Sequence, residues 1–507
     1  MKKVLLTAIG GSSAGTKPIS TSILSAVLKA KGHQVVFFDS TFLDLGFPLD
    51  GEIADRVLQF KKVDWGRHNL RRDKTVDAKA AFLAVVEREK PDVIAASAMS
   101  DMYRHTVEFL KLAKERHPVP AIVGGVHATI LPEEVIAEGC VDALCVGEGE
   151  EALLEFLDSL EGSTIRRTDI KNLWIKKDGQ VFKNPVRPLT SLERLPFLDY
   201  SIYDERQFLR AYDGRIIKSG DLQDKRGCPK KCPYCANAIL NTSIYPGTRI
   251  NYYSPERFVE EAKHLKLTYH LEFFKNFSED ILIRPIDDFA RMAELYAKEV
   301  AVPFTVDTYP LSITEEKAKL LKKMKCASVS VALECGNYHY RKNVLRRDYD
   351  NDTFVKRLRI LQDAGLRTST LNMIGLPYES RKMIFETLEV NRRASPSVTC
   401  VTAFFPFRGS PLGDLAVRER FVDPELVKVR RSDASQSILS MPQISSDEIK
   451  GIRRVCYFYL NYPRFLFPVI RLAEPETPLG NIVFELLILT QRLKVRLSPI
   501  LRALGVR

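Results

Sequence analysis

Three closely spaced cysteines lie in a loop near the middle of the chain. Residues 225–235 read KRGCPKKCPYC and place Cys228, Cys232 and Cys235 in a C-x3-C-x2-C pattern. Three thiolates at this spacing can bind three irons of a 4Fe-4S cubane and leave the fourth iron open to an exogenous chelating ligand. The loop also carries four cations that we expect to stabilise thiolates and an anionic cluster, namely Lys225, Arg226, Lys230 and Lys231.

A structural zinc site, or thiols that bind nothing, is the alternative interpretation of this loop. Structural zinc needs a fourth protein ligand. No His or Cys follows Cys235 in finger-like spacing, so the pattern favours an iron–sulfur cluster.

The overall composition excludes several classes of protein. The chain has 507 residues, 45% of them hydrophobic and 28% charged, which is typical of a folded protein and not of a disordered one. A net charge of +12 favours an anionic partner such as a membrane surface, nucleic acid or phosphorylated cofactor. Nine cysteines are too few for a disulfide scaffold, and the apolar run Val4–Ile9 reaches glycines too early for a signal peptide. We therefore expect a reducing, cytoplasmic setting.

Residues 1–150 alternate short apolar runs with helical patterns, which predicts a doubly wound, Rossmann-like α/β domain. The predicted strands are Val4–Ile9, Gln34–Phe38, Val93–Ala98, Ala121–Gly124 and Ala143–Val146, and the predicted helices are Ser20–Lys31, Ala78–Lys90 and Val107–His117. Such sheets bind ligands beyond the carboxyl ends of their strands. Two glycine-containing loops, residues 10–13 and 124–127, are expected at that edge.

The rest of the chain divides into three predicted segments. Residues 151–215 are predicted to be a linker with a small hairpin, Leu173–Phe182. From 216 to 415 the alternation returns and predicts a partial or full parallel β/α barrel. Residues 416–507 are predicted to be helical, basic and aromatic. The expected barrel strands are Leu271–Phe274, Phe304–Val306, Ser328–Leu333, Thr368–Ile374 and Thr399–Phe405.

The cysteine loop resembles the signature of the radical S-adenosylmethionine (radical SAM) superfamily, in which an aromatic residue, here Tyr234, precedes the third cysteine. The resemblance implies that the open iron chelates the amino and carboxylate groups of SAM. It also implies that an electron from the cluster cleaves SAM to a 5′-deoxyadenosyl radical, with a reductant such as flavodoxin or ferredoxin as partner. The protein would position the cofactor and exclude water.

Three later motifs follow in the order expected for this superfamily. The resemblance implies that Glu334 and Arg347, from the fourth-strand motif and the arginine behind it, hold the ribose and methionine ends of SAM. Residues 372–379 resemble the fifth-strand motif that flanks the adenine, which makes Asn372 and Gly375 candidate contacts. Residues 405–412 resemble the loop that closes the barrel. The chain departs from the pattern at residues 273–277, FFKNF, where many relatives of this type carry paired aspartates.

Residues 121–129 and 146–150 resemble the cobalamin-binding domain that precedes the barrel in one large radical SAM branch. The resemblance implies glycines that admit a large ligand and short polar side chains that bond to its nucleotide tail. The alternative is a flavodoxin-like domain that only packs on the barrel. The candidate contacts are Ser97, Ser100, Gly124, Gly125, His127, Thr129, Gly147 and Glu148.

The loop after the first strand bears on how cobalamin would bind. Residues 9–17 contain no histidine, and the D-x-H-x-x-G signature is missing. We therefore expect cobalamin without a lower axial histidine from this loop. His127 is expected to be a tail or backbone contact, with axial ligation as the alternative.

The carboxyl-terminal region is strongly basic. Residues 416–507 carry 15 Lys and Arg against 9 Asp and Glu, and the end of the chain, from Arg492 on, has no acidic residue. A basic, apolar terminal helix can lie in a membrane interface and attract anionic lipids. The alternative is that these helices cap the barrel and their cations are solvated. Nucleic acid binding is not expected, because only the charge favours it and no motif does.

Cys335 follows Glu334 and is a candidate catalytic residue, since a nearby thiol can donate a hydrogen atom in radical chemistry. Single cysteines are more often small buried hydrophobes. The segment Gly10–Lys17 lacks the spacing of a phosphate-binding loop, so nucleotide hydrolysis is not expected.

Together the motifs predict a cobalamin-dependent radical SAM enzyme that methylates an unactivated carbon, or occasionally phosphorus, of a small-molecule or lipid-like substrate. The resemblance implies that one SAM methylates cob(I)alamin and that a second SAM yields the radical that activates the substrate. Two alternatives stay open. One is a non-methylating cyclase, oxidase or rearrangement enzyme, and the other is an iron–sulfur or cobalamin-binding sensor. A peripheral position at the inner face of the membrane is a further expectation.

Overall fold

The computed structural model describes residues 1–10, 15–46, 58, 61–247, 250–429 and 436–503. Its first part, up to residue 183, is an α/β domain built around a seven-stranded sheet. The elements in chain order are β1 (Lys3–Ala8), α1 (Ile19–Ala30), β2 (Gln34–Asp39), β3 (Leu43–Asp44), β4 (Asp73–Asp77), α2 (Ala78–Glu89), β5 (Val93–Ser97), α3 (Tyr103–Arg116), β6 (Ala121–Gly124), α4 (Val126–Ile130), α5 (Pro132–Ala137), β7 (Ala143–Cys145), α6 (Glu150–Asp158), β8 (Leu160–Glu161), β9 (Thr164–Ile165), β10 (Leu173–Lys177) and β11 (Gln180–Lys183).

The first sheet has the strand order β11-β10-β7-β6-β5-β1-β2, and its five strands from β7 to β2 are parallel. Strands β1 and β5 are almost wholly buried, because helices cover both faces of the sheet. The strand order reverses between β1 and β5. The crevice beyond their carboxyl ends is therefore the ligand-binding position of a doubly wound fold, and the predicted doubly wound domain is confirmed.

The hairpin β10–β11 belongs to this sheet. Strand β10 pairs antiparallel with β7, with Leu173 opposite Cys145. Asp178 and Gly179 at the turn have φ values of 50° and 76°, the left-handed backbone of a tight hairpin turn. This hairpin, which the sequence predicts to lie in the linker, is therefore part of the first domain.

The second part of the chain is a partial β/α barrel. Its seven strands run in the order β12-β13-β16-β17-β18-β19-β20, and the six from β13 to β20 are parallel. The sheet stays open, with antiparallel β12 at one edge and β20 at the other. The elements are β12 (Leu209–Tyr212), β13 (Arg215–Leu222), β14 (Lys225–Arg226), α7 (Ala236–Ile239), β15 (Asn251–Tyr252), α8 (Pro255–Tyr269), β16 (Phe273–Asn276), α9 (Ile286–Glu299), β17 (Phe304–Thr308), α10 (Glu315–Lys323), β18 (Cys326–Glu334), α11 (Tyr338–Asn343), α12 (Asn351–Asp363), β19 (Arg367–Ile374), α13 (Arg381–Ala394) and β20 (Val398–Ala403).

Helices of the carboxyl-terminal region cover the β20 edge of the barrel. They are α14 (Pro411–Arg418), α15 (Pro424–Val429), α16 (Ser446–Asn461), α17 (Phe467–Leu472) and α18 (Pro478–Ala503). Helix α16 packs against β20 and α13. Arg392 on α13 donates to the carbonyls of Tyr459 and Tyr462 at 2.6 and 2.8 Å and so satisfies the end of α16. Within the described residues, no helix is long and apolar enough to cross a membrane.

The loop after β1 ties the first domain to the barrel. The backbone N–H of Lys17 donates to Asp221 at 2.6 Å, and its ammonium donates to the carbonyls of Gln207 and Ser219, both at 2.9 Å. Burial lowers the pKa of Lys17 to about 8. Residues 11–14 of this loop, which include most of the predicted segment 10–13, lie outside the described residues.

Candidate active site

The cysteine loop leaves the carboxyl end of β13 and is held on both sides. Strand β14 pairs with β15 immediately before Cys228. Asn241, beyond the loop, donates to the carbonyl of Cys228 at 2.6 Å and to that of Lys230 at 3.3 Å. Cys228 and Cys232 are buried and Cys235 is partly exposed. The backbone of the loop is therefore positioned by hydrogen bonds that do not involve the thiols.

The thiols of this loop are free, as are all nine cysteines of the chain. Burial raises the pKa of Cys228 to about 11 and also raises the pKa of Cys235. At neutral pH these thiols carry protons that iron binding must displace. In the described part of the chain, no three His, Cys, Asp or Glu side chains are placed to hold one metal ion. A cubane instead takes one thiolate per iron, and three thiols on one positioned loop fit that donor set.

Tyr234, Glu334 and Arg347, predicted from separate motifs, meet beside the cysteine loop. The Tyr234 hydroxyl donates to Oε1 of Glu334 at 2.9 Å and accepts from Arg347 at 3.1 Å. The Arg347 guanidinium lies 3.8 Å from the Glu334 carboxylate and 3.9 Å from Sγ of Cys232. We call these three residues the polar cradle. Its cation, carboxylate and phenol can bind the charged groups and hydroxyls of a small cofactor.

Glu334 reaches the cradle through an unusual backbone conformation. It ends β18 with a φ of 68°, and the pairing of β18 with β19 shifts register between Ala332 and Glu334. Such an irregularity re-aims a side chain at the end of a strand, and left-handed backbone in a non-glycine residue is strained. Burial raises the pKa of Glu334, opposed by Arg347 and by the Tyr234 hydrogen bond.

The fifth-strand motif lies close by but does not bring the Asn372 side chain into the polar cradle. Asn372 donates to the Cys400 carbonyl at 2.9 Å and accepts from Asn391 of helix α13 at 2.8 Å, so its amide faces the helix layer. Because side chains alternate along a strand, Leu371 and Met373 face the barrel interior instead. A role for the Asn372 side chain in binding SAM stays a prediction.

Gly375 follows β19 in a turn that a buried carboxylate closes. The Gly375 N–H donates to Glu379 at 2.6 Å, and Gly375 has a φ of 76°, which favours glycine. Burial raises the pKa of Glu379 to about 8. Glu379 belongs to the fifth-strand motif, but its sequence position alone does not mark it as a site residue.

Cys335 lies in the hydrophobic core outside the polar cradle. Its thiol is fully buried among residues of the helix layer and lies 3.9 Å from Glu379. The adjacent Gly336 N–H donates to Thr387 on helix α13 at 2.7 Å. The structure does not bring this thiol to Glu334, so hydrogen-atom donation by Cys335 stays a prediction.

Lys275, at the point where the chain departs from the motif pattern, is paired within the barrel. Its ammonium lies 2.7 Å from Asp307 on the neighbouring strand β17. The cation at this position is therefore neutralised by a carboxylate from the next strand.

The four cations of the cysteine loop do not all serve the thiols. Lys225 is buried and pairs with Glu279 at 3.1 Å, and Lys230 lies over the ring of Tyr309 at 4.2 Å. Arg226 turns toward the first domain, where it pairs with Glu148 at 2.9 Å and Glu150 at 2.6 Å. Arg226 was expected to stabilise the thiolates. Its guanidinium instead forms an ion pair between the two domains.

A cavity of about 290 Å³ lies in the crevice between the two domains. Apolar side chains such as Leu6, Ile122 and Leu153 form part of its wall, and Gln223 and Arg226 close it from the barrel. The volume is near the lower end of the range for small-molecule sites, roughly 300–1,000 Å³. Five of the predicted contacts line it: Ser97, Gly124, Gly125, Gly147 and Glu148.

Glycines shape the wall of this cavity. A Cβ on Gly147 would come 2.2 Å from the Tyr245 hydroxyl, and one on Gly125 would come 2.8 Å from the Ala98 carbonyl. At Gly124 a Cβ would make only an ordinary contact, 3.7 Å from Cβ of Cys145, so the missing side chain leaves open space. The cavity therefore has room for a small organic group with apolar surface.

Thr129 supports the cavity from behind. Its hydroxyl accepts from the Gly147 N–H at 3.0 Å, and the Tyr245 hydroxyl accepts from the next N–H, that of Glu148, at 3.1 Å. Tyr245 lies just beyond the cysteine loop, so this contact also joins the two domains. The sequence offered no signal for Tyr245, because its partner is almost one hundred residues away.

His127 and Ser100 lie at a second, smaller pocket between the domains. The ring of His127 stacks on Tyr103 at 4.0 Å, and Nδ1 lies 3.1 Å from the Ser100 hydroxyl. Nε2 is buried and has no hydrogen-bond partner among the described residues. Burial lowers the pKa of His127 to about 4, helped by Arg408 and Arg104. The neutral imidazole thus has one nitrogen free for a ligand between the domains.

Comparison with known protein families agrees with this geometry. The Radical SAM superfamily matches residues 223–390, which include the cysteine loop and the polar cradle. The B12 binding domain matches residues 67–157, which include His127 and the glycines of the cavity. The alternative of a flavodoxin-like domain that only packs on the barrel is therefore wrong.

Individual relatives share both parts of the chain. A cytidylyl-2-hydroxyethylphosphonate methyltransferase of Streptomyces wedmorensis is 24% identical over 473 residues, 85% of this chain and 84% of the relative. An uncharacterized methyltransferase of Pyrococcus horikoshii is 23% identical over 385 residues, 74% of this chain and 80% of the relative. An anaerobic magnesium-protoporphyrin IX monomethyl ester cyclase of Cereibacter sphaeroides is 21% identical over 331 residues, 64% of this chain and 53% of the relative.

Solved structures share the fold. The radical SAM methyltransferase TsrM of Kitasatospora setae covers 83% of this chain and 77% of its own, with a TM-score of 0.61 and 16% identity. The cobalamin-dependent radical SAM enzyme OxsB covers 100% of this chain and 76% of its own, with a TM-score of 0.65 and 13% identity.

The barrel with its cysteine loop is a Radical SAM domain. The chain joins this domain to a B12-binding domain, and its relatives include cobalamin-dependent radical SAM enzymes. The predicted cofactors, a 4Fe-4S cluster, SAM and cobalamin, are confirmed with it.

Proposed function

We propose that the chain methylates an unactivated carbon, or a phosphorus centre, of a small-molecule or lipid-like substrate. One observation supports this most strongly: Arg226, two residues before the first cluster cysteine, also lines the cavity of the B12-binding domain. The two cofactor sites are therefore neighbours. Methyl transfer between cofactors and substrate depends on such proximity.

Each cofactor has its own residues in this proposal. The thiolates of Cys228, Cys232 and Cys235 hold the cluster, Arg347 binds the methionine end of SAM and Glu334 its ribose. When bound, the cluster and SAM supply a hydrogen-abstracting radical, and cobalamin supplies the methyl group. The chain itself orients these groups and excludes water.

The loop that follows β20 supports the exclusion of water. Phe405 and Phe407 pack with ring centroids 4.9 Å apart, and Arg408 forms an ion pair with Glu134 of the first domain. A Cβ on Gly409 would come 2.4 Å from the side chain of Ile130, so this loop and the first domain are in close contact. We infer that it closes the space between the cofactors.

The products of the reaction test the proposal. Protein reconstituted anaerobically with iron, sulfide and cobalamin is given methyl-labelled SAM, reduced flavodoxin and a candidate substrate. We expect one S-adenosylhomocysteine and one 5′-deoxyadenosine for each labelled methyl group found in the substrate. The measurement is mass spectrometry of all three compounds.

Other product patterns would support the alternatives. Conversion of the substrate with formation of 5′-deoxyadenosine but no S-adenosylhomocysteine would make the chain a non-methylating enzyme. Its similarity to a cyclase supports this second candidate. Formation of neither product would favour a sensor, although a sensor has no need of the polar cradle. We also propose a flavodoxin or ferredoxin as the reductant, since the cluster needs an electron. A cytoplasmic location is proposed as well, because all nine thiols are free.

Filling the cavity is expected to weaken cobalamin binding. In Gly124→Leu the first added carbon meets only Cys145 at ordinary distance, so the chain should fold, while the rest of the side chain occupies the cavity. We expect cobalamin affinity to fall by at least about tenfold, since most of a ligand's binding surface depends on an open site. Bound cobalamin is measured by absorption after gel filtration.

Gly139→Leu is the matched control for this prediction. A Cβ on Gly139 has no neighbour within 4 Å, and this glycine does not line the cavity. The control should bind cobalamin as the unmodified chain does. Equal cobalamin binding by Gly124→Leu and Gly139→Leu would show that the cofactor tail lies elsewhere.

A further inference from the structure

The last helix of the chain exposes a continuous apolar stripe. Along α18 the side chains that share this stripe are 47–60% exposed, and their spacing of three and four residues puts them on one helix face. The opposite face, with Leu487 and Ile488, is buried in the core formed with α16. The members of the stripe are Leu479, Ile482, Leu486, Leu489 and Leu493.

The apolar surface continues on the preceding segment, which packs against α18. Phe465 is 78% exposed, Leu472 is 52% exposed and Val469 is 43% exposed. We call these three residues and the α18 stripe together the apolar face. Monomeric proteins rarely expose contiguous apolar patches larger than a few hundred Å², and larger ones mark interaction sites.

Basic residues accompany the apolar face. Arg471 is exposed at its α17 end, as is Arg464, which pairs with Glu389 at 2.7 Å, and Arg492 is exposed beside Leu493. Helix α18 contains one acidic residue, Glu485, in its first half. Its second half contains four basic residues and no acidic one: Arg492, Lys494, Arg496 and Arg502.

We propose that the apolar face docks on an anionic lipid surface, with α18 lying in the plane of the interface. An amphipathic helix with large aliphatic side chains on one side and cations beside them binds in this way, and the exposed ring of Phe465 adds an anchor. Anionic headgroups attract each nearby Lys or Arg. The helix does not need to cross the bilayer, consistent with the finding that no described helix is apolar enough to do so.

A second copy of the chain fits the apolar face less well. Two copies of α18 packed in parallel would bring their basic halves together, and like charges at that distance repel. In an antiparallel pair each basic half would meet only Glu485. A layer of anionic lipid supplies a partner for every cation, so charge complementarity favours the membrane.

Vesicle binding by the holoprotein tests the proposal. The chain is sedimented with vesicles of phosphatidylcholine alone or mixed with phosphatidylglycerol. We expect binding to the anionic vesicles and little to the neutral ones. The variant Leu486→Ser/Leu489→Ser should lower the partition coefficient about tenfold or more. The variant Arg492→Gln/Lys494→Gln/Arg496→Gln should lower it about 100-fold on anionic vesicles only.

The control is Leu267→Ser, which replaces an equally exposed leucine on helix α8, away from the apolar face. It should bind vesicles as the unmodified chain does. The proposal is wrong if the chain does not bind anionic vesicles, or if Leu486→Ser/Leu489→Ser binds as tightly as Leu267→Ser. It is also overturned if light scattering shows a dimer that this double variant splits while neither form binds vesicles. None of these readouts requires turnover, so they are independent of the proposed methylation.

Discussion

The triple variant Cys228→Ala/Cys232→Ala/Cys235→Ala is expected to retain no cluster iron and to cleave no SAM. Each thiolate holds a different iron, so the loop keeps no ligand for the cubane once all three are gone. The fold should survive, because β14 and Asn241 position the loop without using the thiols. Loss of SAM cleavage therefore reports on the cluster and not on unfolding.

Iron and sulfide per folded chain, together with 5′-deoxyadenosine formed under a chemical reductant, measure this effect. A matched control is Cys140→Ala/Cys326→Ala/Cys456→Ala, which removes three buried thiols outside the cysteine loop. The control should keep its iron and its SAM cleavage. Wild-type iron content in the first variant would make the assignment of the cluster ligands wrong.

The sequence predicts most of the two sheets because their strands carry local signals. Buried parallel strands are short apolar runs between helices, and β6 has the predicted bounds Ala121–Gly124 while β19 differs by one residue. The pairing of the hairpin β10–β11 with β7 was not predictable in this way. A hairpin and its turn are local, whereas the sheet edge that it joins lies almost thirty residues earlier.

Within the site, motif residues were predictable where the motif itself demands a chemical group. Cys232, Tyr234, Glu334 and Arg347 all lie together. The Asn372 side chain was harder to place, since the pleat of β19 decides its direction and a sequence does not reveal which face meets helix α13. Arg226 shows the same limit, because its carboxylate partners belong to another domain.

Breaking the ion pair of Arg226 is expected to cause a large loss of folding stability. Its partners Glu148 and Glu150 have side chains only 10% and 6% exposed. Burial lowers the pKa of Arg226, but Glu150 and Glu148 more than offset this and raise it above its ordinary value, so the guanidinium stays charged. Arg226→Met takes the cation away from two buried carboxylates. We expect the folded chain to lose about 3–5 kcal/mol, the usual effect of breaking a buried pair from one side.

Urea unfolding of the cofactor-free chain, followed by circular dichroism, measures this loss. The control Lys263→Met breaks an exposed pair with Glu299, for which we expect about 1 kcal/mol or less. Arg226→Met/Glu148→Gln/Glu150→Gln removes the uncompensated charges and should recover most of the stability. Similar unfolding midpoints for Arg226→Met and Lys263→Met would contradict a structural role for the pair. Arg226 also lines the cavity, so it can contact cobalamin as well as join the two domains. If the triple variant regains stability but not cobalamin affinity, the two roles of Arg226 are separate.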